Sequence, residues 1–172
     1  MKFVIIGNSG SGKTWLANQL APYYGAPIIH LDELFWMPGG FDRVRRQEEV
    51  LSLVQQSKKG TAWIVEGVFG ELAEEYLAEA EALVWLDLEW ALCRSRLEQR
   101  GSESKAHMSR TQSTDGLVRL IEWASQYYSR IDSRSREGHS RLVQAFTGTQ
   151  FHLQTETAIL EFVWQHCQKT IS

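Results

Sequence analysis

The clearest chemical signal in the sequence is a glycine-rich segment near its beginning. Glycines let a backbone curl so that successive N–H groups point inward and bind an anion. A lysine beside them can reach the β- and γ-phosphates of a nucleoside triphosphate, and the hydroxyl that follows can take a position on Mg²⁺. The segment has the spacing G-x-x-x-x-G-K-[S/T], and its residues are Gly7, Asn8, Ser9, Gly10, Ser11, Gly12, Lys13 and Thr14. This spacing predicts a Walker A phosphate-binding loop.

The chain on both sides of this loop fits the same interpretation. Residues 3–6 are a continuous apolar run rich in β-branched side chains, which is typical of a strand buried on both faces. Residues 14–24 carry apolar side chains at helical spacing, so the loop leads into a helix N-terminus, whose dipole favours phosphate. Pro22 indicates a kink or an early end of that helix.

Carboxylates lie near the ends of later predicted strands, where they should share the rim of the phosphate loop. Ligands of open α/β sheets bind beyond the carboxyl ends of the strands. Asp32 is the candidate for the acceptor site, where it could take or orient the proton of a substrate hydroxyl. Glu66 could hold Mg²⁺ through water or bind the acceptor, and Gly67 allows a ligand to approach the backbone closely.

Each of these carboxylates also has a structural interpretation. Asp32 could cap a helix, because aspartate is a preferred N-cap. Glu66 could be a solvated residue at the end of its strand. Asp87, after the fourth predicted strand, is expected to be structural and to cap the next helix, and His30 is expected to be a half-buried strand residue.

Two groups of arginines could supply positive charge to a phosphoryl group. Arg96 and Arg100 are four residues apart on one helix and therefore on one face. They could stabilise charge on the phosphoryl oxygens, or they could form a solvated basic face. Arg43, with Arg45 and Arg46, could clamp an anionic acceptor or be a surface charge. Three later arginines have no feature that assigns them a role: Arg130, Arg134 and Arg136.

The positions of strands and helices predict an α/β fold with a parallel sheet. Apolar runs predict five strands, at residues 3–6, 26–31, 62–65, 82–86 and 149–153. Helical spacing predicts helices at residues 14–24, 43–58, 71–80, 90–100, 117–128 and 156–168, the fifth continuing with interruptions towards residue 146. Residues 101–116 are polar and nearly free of large apolar side chains, which indicates a mobile loop or small lid.

Length and composition narrow the class of protein. A chain of 172 residues suits one domain with its own core. Its net charge of −3 gives no reason to expect nucleic-acid binding. The two cysteines form no C-x-x-C pair and are expected to be reduced thiols of a cytoplasmic protein. No stretch approaches about 18 apolar residues, and the N-terminal run is too short for a secretory signal, so no membrane association is predicted.

These segments together resemble the adenylate-kinase-like group of P-loop kinases, and most closely the bacterial DNA topology modulation proteins and FlaR-like predicted kinases. The likeness covers about residues 1–100. It rests on the phosphate loop, on residues 30–39 (HLDELFWMPG), on residues 63–69 (WIVEGVF), and on Leu86-Asp87 followed by Cys93, Arg96 and Arg100.

The resemblance implies a P-loop NTPase fold, in which a five-stranded parallel sheet of order 2-3-1-4-5 is the middle layer of an α/β/α sandwich. It implies an acceptor-binding region at about residues 32–60 and a short lid at about residues 101–116. It also implies ATP and Mg²⁺ as cofactors, with Arg96 stacked on the adenine and Arg100 in contact with phosphate.

The sequence departs from adenylate kinases after the third predicted strand. Where they carry Asp-Gly-Phe/Tyr-Pro-Arg, this chain has residues 66–70 (EGVFG), without Pro or Arg. The placement of Leu31-Asp32 is more similar to that in gluconate- and shikimate-type kinases, which phosphorylate a hydroxyl. The prediction is therefore an ATP-dependent kinase of a small acceptor. The alternative is a regulatory protein that binds or hydrolyses a nucleoside triphosphate and has no metabolite acceptor.

Overall fold

A five-stranded parallel sheet forms the centre of the protein. The computed structural model describes residues 1–38, 43–101 and 110–167, without the side chains of residues 110–114. The strands within these ranges are β1 (Lys2–Gly7), β2 (Ile28–His30), β3 (Trp63–Gly67), β4 (Ala82–Leu86) and β5 (Thr149–Leu153). They lie in the order β2-β3-β1-β4-β5, and every neighbouring pair is parallel. This order confirms the predicted P-loop NTPase fold.

Helices cover both faces of this sheet. They are α1 (Lys13–Tyr24), α2 (Leu31–Phe35), α3 (Gln47–Ser57), α4 (Gly70–Leu77), α5 (Trp90–Arg100), α6 (Arg110–Ser125), α7 (Arg136–Ala145) and α8 (Glu156–His166), with a 3-10 turn at Gln126–Tyr128. Helices α1 and α8 pack on one face, and α3, α4 and α7 pack on the other. None of the helices within the described ranges is long and apolar enough to cross a membrane.

The central strand β1 explains why both faces need helices. Phe3 and Ile5 belong to the core under α1 and α8, whereas Val4 and Ile6 belong to the core under α3, α4 and α7. All four side chains are fully buried. A strand buried on both faces has no polar side, so its sequence is a continuous apolar run. Burial of each such side chain contributes about 1.5–3 kcal/mol, which fixes the position of the loop that starts at Gly7.

The predicted bounds of β2 and β3 are wrong at their carboxyl ends. Strand β2 ends at His30, because Leu31 already begins α2. Strand β3 continues to Gly67, so Glu66 lies inside the strand and not after it. Glu66 interrupts the apolar pattern that marks a buried strand, and for this reason the sequence pattern ends one residue before it.

Helix α3 begins at Gln47 and not at residue 43 as predicted. The chain before it pairs with the chain after α2: Met37 N–H donates to Arg43 O (2.8 Å), and Arg45 N–H donates to Phe35 O (2.9 Å). Backbone groups used in this pairing cannot also form helical hydrogen bonds. Arg43 therefore does not lie at a helix N-terminus.

The polar segment after α5 is partly helical. Residues 110–116 belong to α6, so the last part of the segment predicted as a mobile loop or small lid is helical and not a loop. A polar sequence lacks the hydrophobic period that would reveal such a helix. Residues 102–109 lie outside the described part of the chain. After the 3-10 turn, residues 129–135 separate α6 from α7, which is the expected interruption.

Asp87 joins the carboxyl ends of β4 and β5 to α7. Its buried carboxylate accepts hydrogen bonds from Arg136 Nε (2.9 Å), Arg136 Nη2 (2.8 Å) and His152 Nε2 (2.9 Å). Burial would raise the pKa of Asp87, but these hydrogen bonds hold it below its usual value. Asp87 is structural, as expected, but the predicted cap is wrong, because Glu89 is the N-cap of α5.

We expect Asp87→Asn to lower the free energy of unfolding by about 1–3 kcal/mol, since a hydrogen bond to a charged group contributes about this much. Arg136 and His152 are half exposed, so water can solvate them in the variant. Urea unfolding at neutral pH measures the change. The control is Glu137→Gln, which alters an exposed pair with Arg141 and should change the value by less than about 0.5 kcal/mol.

The contribution of Asp87 to the free energy of unfolding should decrease as the pH falls. Its pKa is lower in the folded protein than in the unfolded chain. Asp87 therefore stabilises the fold above about pH 4, and this contribution is lost as the pH falls through the folded pKa. The difference between wild type and Asp87→Asn should shrink in acid. A difference that does not change with pH would show that the charge of Asp87 contributes nothing.

Candidate functional site

The loop of residues 7–14 turns tightly between β1 and α1. Gly10 and Gly12 have φ angles of 79° and 97°, a conformation that residues with a side chain rarely adopt. A Cβ on Gly10 would lie 2.4 Å from the backbone O of Cys93, so the loop also passes too close to α5 for a side chain. Gly12 is the N-cap of α1, and no side chain caps this N-terminus. Its N–H groups are therefore available to an anion.

Lys13 is buried beside this loop. Its Nζ donates a hydrogen bond to the backbone O of Asn8 (2.8 Å). Burial lowers the pKa of Lys13, and the negative charges of Glu66 and Asp32 oppose this shift. A buried ammonium is costly unless it is paired. The two carboxylates are thus what allows Lys13 to keep its charge, and the three residues form one charge cluster.

Glu66 connects the phosphate loop to β2. In the sheet it lies opposite Ile5 of β1 and His30 of β2. Its Oε1 accepts hydrogen bonds from Thr14 Oγ1 (2.9 Å) and His30 Nδ1 (2.6 Å). Burial would raise the pKa of Glu66, but these two partners and the charge of Lys13 hold it below its usual value. The hydrogen bond to Glu66 raises the pKa of His30. Thr14 and Glu66, the residues predicted to hold Mg²⁺, are therefore adjacent.

The chemistry of Thr14 and Glu66 fits a Mg²⁺ ion that is shared with phosphates. Mg²⁺ prefers oxygen ligands and is usually bound by one or two carboxylates, substrate phosphates and waters. Within residues 1–38, 43–101 and 110–167, no group of three or more His, Cys, Asp or Glu side chains could hold a metal ion. The pair of oxygens beside the loop suits an ion that arrives with a nucleotide.

Asp32 lies in the first turn of α2, next to the same cluster. The alternative that it caps a helix is wrong, because the N-cap of α2 is His30. Asp32 is exposed to solvent on one side. Partial desolvation by the surrounding protein raises the pKa of Asp32, Lys13 opposes the shift, and Glu66 adds to it. A carboxylate with a raised pKa beside a lysine predicted to bind phosphate is suited to accept a proton.

Two of the three arginines of α5, Arg96 and Arg100, act on different parts of the site. Arg96 Nη1 donates to the backbone O of Ser11 (3.0 Å), and Arg96 Nη2 donates to Glu156 Oε1 (2.5 Å). Burial lowers the pKa of Lys13 most, and the positive charge of Arg100, in the last turn of α5, lowers it further. Arg96 therefore holds the loop itself, and Arg100 acts on the charge cluster.

A pocket of about 350 Å³ opens beside the loop. The residues that line it are Ser11, Gly12, Trp15, Arg96, Glu156, Ile159 and Leu160. The indole of Trp15 is half exposed. A largely apolar slot with a few polar groups next to a phosphate-binding loop suits a planar ring. The sequence does not single out Trp15 or Glu156, because Glu156 reaches the site only through the packing of α8 beside α1.

Asn8 forms hydrogen bonds with its neighbour Ser9 and with a distant helix. The side chain of Asn8 is buried, and its Nδ2 donates to the backbone O of Ala124 near the end of α6 (3.0 Å). Its Oδ1 accepts a hydrogen bond from Ser9 N–H (2.8 Å). Asn8 thus ties the phosphate loop to the helix that follows the predicted lid, a contact that the sequence does not reveal.

Gly67 and Arg43 are the other two predicted acceptor residues. A Cβ on Gly67 would lie 2.7 Å from the Cβ of Leu31, so the packing of α2 on β3 already requires a glycine. Arg43 is exposed, and among the described residues its side chain forms no hydrogen bond or ion pair. Among the described residues, no hydrogen bond or ion pair joins Arg43 to Asp32 or Glu66.

Solved structures share this fold although their sequences differ strongly. TT1252 from Thermus thermophilus matches with a TM-score of 0.54 at 16% identity, over 96% of this chain and 94% of that one. A deoxyadenosine kinase from M. mycoides matches with a TM-score of 0.51 at 14% identity, over 96% and 97%. A gluconokinase from Sinorhizobium meliloti 1021 matches with a TM-score of 0.50 at 16% identity, over 96% and 89%. The chain matches no protein-family model and no curated protein. The likeness shows that this chain and these proteins share a fold.

We expect Gly10→Ala to lower the free energy of unfolding by about 2–4 kcal/mol, because it combines a left-handed conformation with a clash against α5. The control is Gly25→Ala, which has a φ of 58° but no atom within 4 Å of the added Cβ. The free energy of unfolding of the control should fall by only about 1–2 kcal/mol. Urea unfolding measures the change in both variants. Equal losses would show that the loop does not pack tightly on α5.

Proposed function

We propose that this protein is an ATP-dependent kinase that transfers the γ-phosphoryl group of ATP to a hydroxyl group of a small acceptor. The observation that carries the proposal is the cluster of Lys13, Thr14, Glu66 and Asp32 at the carboxyl ends of β1, β2 and β3. It joins a phosphate-binding loop, two oxygens suited to Mg²⁺ and a carboxylate suited to accept a proton. The P-loop kinase fold supports it, as does the likeness to the FlaR-like group.

In the proposed reaction, the loop N–H groups and Lys13 hold the β- and γ-phosphates, and Arg100 adds positive charge. The acceptor hydroxyl oxygen forms a bond to the γ-phosphorus, and the bond from this phosphorus to the oxygen bridging to the β-phosphate breaks. The electron pair of the broken bond stays on ADP. The hydroxyl proton passes to the carboxylate of Asp32, which later releases it to water.

Thr14 and Glu66 would hold Mg²⁺, with Glu66 acting through water. The ion would supply positive charge that stabilises the phosphoryl group during transfer. His30 donates a hydrogen bond to Glu66 and so fixes the orientation of that carboxylate. His30 is therefore a positioning residue in this proposal, although the sequence indicates only a half-buried strand histidine.

The pocket beside the loop would take the base of the nucleotide. Trp15 offers a ring and Arg96 a planar guanidinium, and both can stack on a base. This position agrees with the role that the family resemblance implies for Arg96. The same resemblance is the reason to propose ATP as the donor.

We expect Lys13→Ala to weaken the binding of Mg·ATP by about 10- to 100-fold, because it removes a charged hydrogen-bond donor to the phosphates. Calorimetric titration with a non-hydrolysable ATP analogue measures the affinity. Lys59→Ala removes an exposed lysine after α3 and is the control that should bind like wild type. An affinity of Lys13→Ala for the analogue equal to that of wild type would contradict the assignment of residues 7–14 as the phosphate loop.

We expect Asp32→Asn to leave ATP affinity nearly unchanged and to lower acceptor-dependent turnover by about 10²- to 10⁴-fold, the usual worth of a positioned base. Asn keeps the shape of the side chain and loses its charge. Release of ADP, measured with and without a panel of hydroxyl acceptors, gives the turnover. Glu33→Gln changes an exposed carboxylate on the same helix and is the matched control.

The same assay separates the kinase from the regulatory alternative. A kinase releases ADP faster when its acceptor is present. ATP hydrolysis that no acceptor accelerates, together with an unchanged rate in Asp32→Asn, would favour a regulatory nucleotide-binding protein.

A further inference from the structure

Residues 129–135 pack tightly against the N-terminus of α4, which follows β3 directly. A Cβ on Gly70, the first residue of α4, would lie 2.0 Å from the backbone O of Ser133. A Cβ on Gly138 would lie 2.3 Å from the backbone O of Asp132. Because both positions are glycine, the backbone of the segment can lie directly on α4 and α7.

Hydrogen bonds fix the same segment. Asp132 Oδ1 accepts from the N–H of Arg134 (2.8 Å), and Ser133 Oγ donates to Glu71 Oε2 (2.6 Å). Arg130 Nη2 donates to the backbone O of Arg134 (3.1 Å). A segment that is already ordered loses little entropy when it binds a ligand.

Two phenylalanine rings, with their centroids 4.6 Å apart, lie on one side of the guanidinium of Arg134, and one of its edges is open. Its central carbon lies 4.5 Å from the ring centroid of Phe35 and 4.4 Å from that of Phe69. Glu71 holds one edge, since Nε donates to Oε1 (2.7 Å) and Nη2 lies 2.5 Å from the same oxygen. Among the described residues, Nη1 has no hydrogen-bond partner. The side chain is 28% exposed, so this edge can be reached by a ligand.

Arg134 also lies near both carboxylates of the charge cluster. Phe35 follows Asp32 by three residues within α2, which is about 5 Å along the helix axis. Phe69 follows Glu66 by three residues, which is at most about 10 Å of chain. The two phenylalanine contacts therefore place Arg134 at the end of the sheet that also carries Asp32 and Glu66.

We propose that Arg134 binds a carboxylate or phosphate group of the acceptor while Asp32 orients the hydroxyl that is phosphorylated. This inference rests on the proposed kinase function and adds the class of acceptor, a small metabolite with both a hydroxyl and an anionic group. The guanidinium fork matches carboxylates and phosphates, and the two phenylalanine rings keep water from one side of it. Residues 66–77 contain no arginine, so the acceptor side takes its cation from this distant segment.

Calorimetry on the protein saturated with Mg²⁺ and β,γ-imido-ATP, which occupies the phosphate loop, tests this role. The probes are inorganic phosphate and two matched pairs, glucose with gluconate and adenosine with AMP. At least one anionic member should bind about 10-fold or more tightly than its neutral partner. The pair that shows the difference distinguishes a carboxylate from a phosphate. Equal affinities within both pairs, or no binding of any anionic probe, overturn the proposal.

Variants of Arg134 identify the residue that binds the anion. Arg134→Met keeps an apolar side chain over Phe35 and Phe69. It should weaken the binding of the anionic probe by about 10- to 100-fold and leave the affinities for the nucleotide and the neutral probe unchanged. Arg134→Lys keeps the charge without the guanidinium fork, and its affinity for the anionic probe should fall by only about 3- to 10-fold. If the Met variant does not fold, the Lys variant replaces it in this test. The control is Arg94→Met, which removes an exposed partner of Glu98 and should change neither affinity.

Two negative results can be told apart. A wild-type protein that does not bind β,γ-imido-ATP would overturn the proposed kinase function. A protein that binds the nucleotide and the anionic probe equally well with and without Arg134 would overturn the role of Arg134 alone. In that case the pair with Glu71 only joins α4 to residues 129–135, and thermal unfolding is the property that changes.

Discussion

The buried ammonium of Lys13 is the interaction on which the rest of the site depends. A lysine can be buried only where opposite charges and hydrogen-bond acceptors replace lost water. The backbone O of Asn8 accepts a hydrogen bond from Nζ, and Glu66 and Asp32 supply the negative charge. This requirement explains two unusual features of the sheet. Strand β3 carries a buried glutamate within an apolar run, and α2 begins directly after β2, which brings Asp32 to the cluster.

A chain of hydrogen bonds between buried polar groups joins β4, the 3-10 turn and α7 to the end of β3. Trp85 Nε1–H donates to the hydroxyl of Tyr127 (3.0 Å), this hydroxyl donates to His139 Nδ1 (2.8 Å), and His139 Nε2–H donates to the backbone O of Val68 (3.0 Å). Burial lowers the pKa of His139 to about 4, so the imidazole is neutral and can accept and donate at once. Residues 129–135 lie between Tyr127 and His139 in sequence. Both ends of the segment that carries the proposed acceptor arginine are therefore fixed to the core.

Local patterns in the sequence predict the parts of this fold that depend on neighbours along the chain. Strands β4 and β5 and helix α5 have their predicted bounds, because their apolar runs or helical periods are complete. The phosphate loop is also a local pattern. The contacts that assemble the site are not local. The hydrogen bond from Thr14 to Glu66 depends on the alignment of β1 with β3, and the pair of Arg96 with Glu156 depends on the packing of α8. No spacing along the chain encodes either contact.

The two arginines on either side of the site present different surfaces of the same group. Arg96 uses its edges for a loop carbonyl and for Glu156, so a flat face is what it can offer to a ligand. Arg134 packs on two phenylalanine rings that lie on one side of it, and Glu71 holds one of its edges, so the edge that carries Nη1 is what it can offer to an anion. A guanidinium face stacks on a planar ring, whereas its edge donates hydrogen bonds to an anion. Both glutamates are more than a third exposed, and such ion pairs contribute only about 0–1 kcal/mol. The glutamates thus orient the two arginines at little energetic cost, and they leave a face of Arg96 and the Nη1 edge of Arg134 open to a ligand.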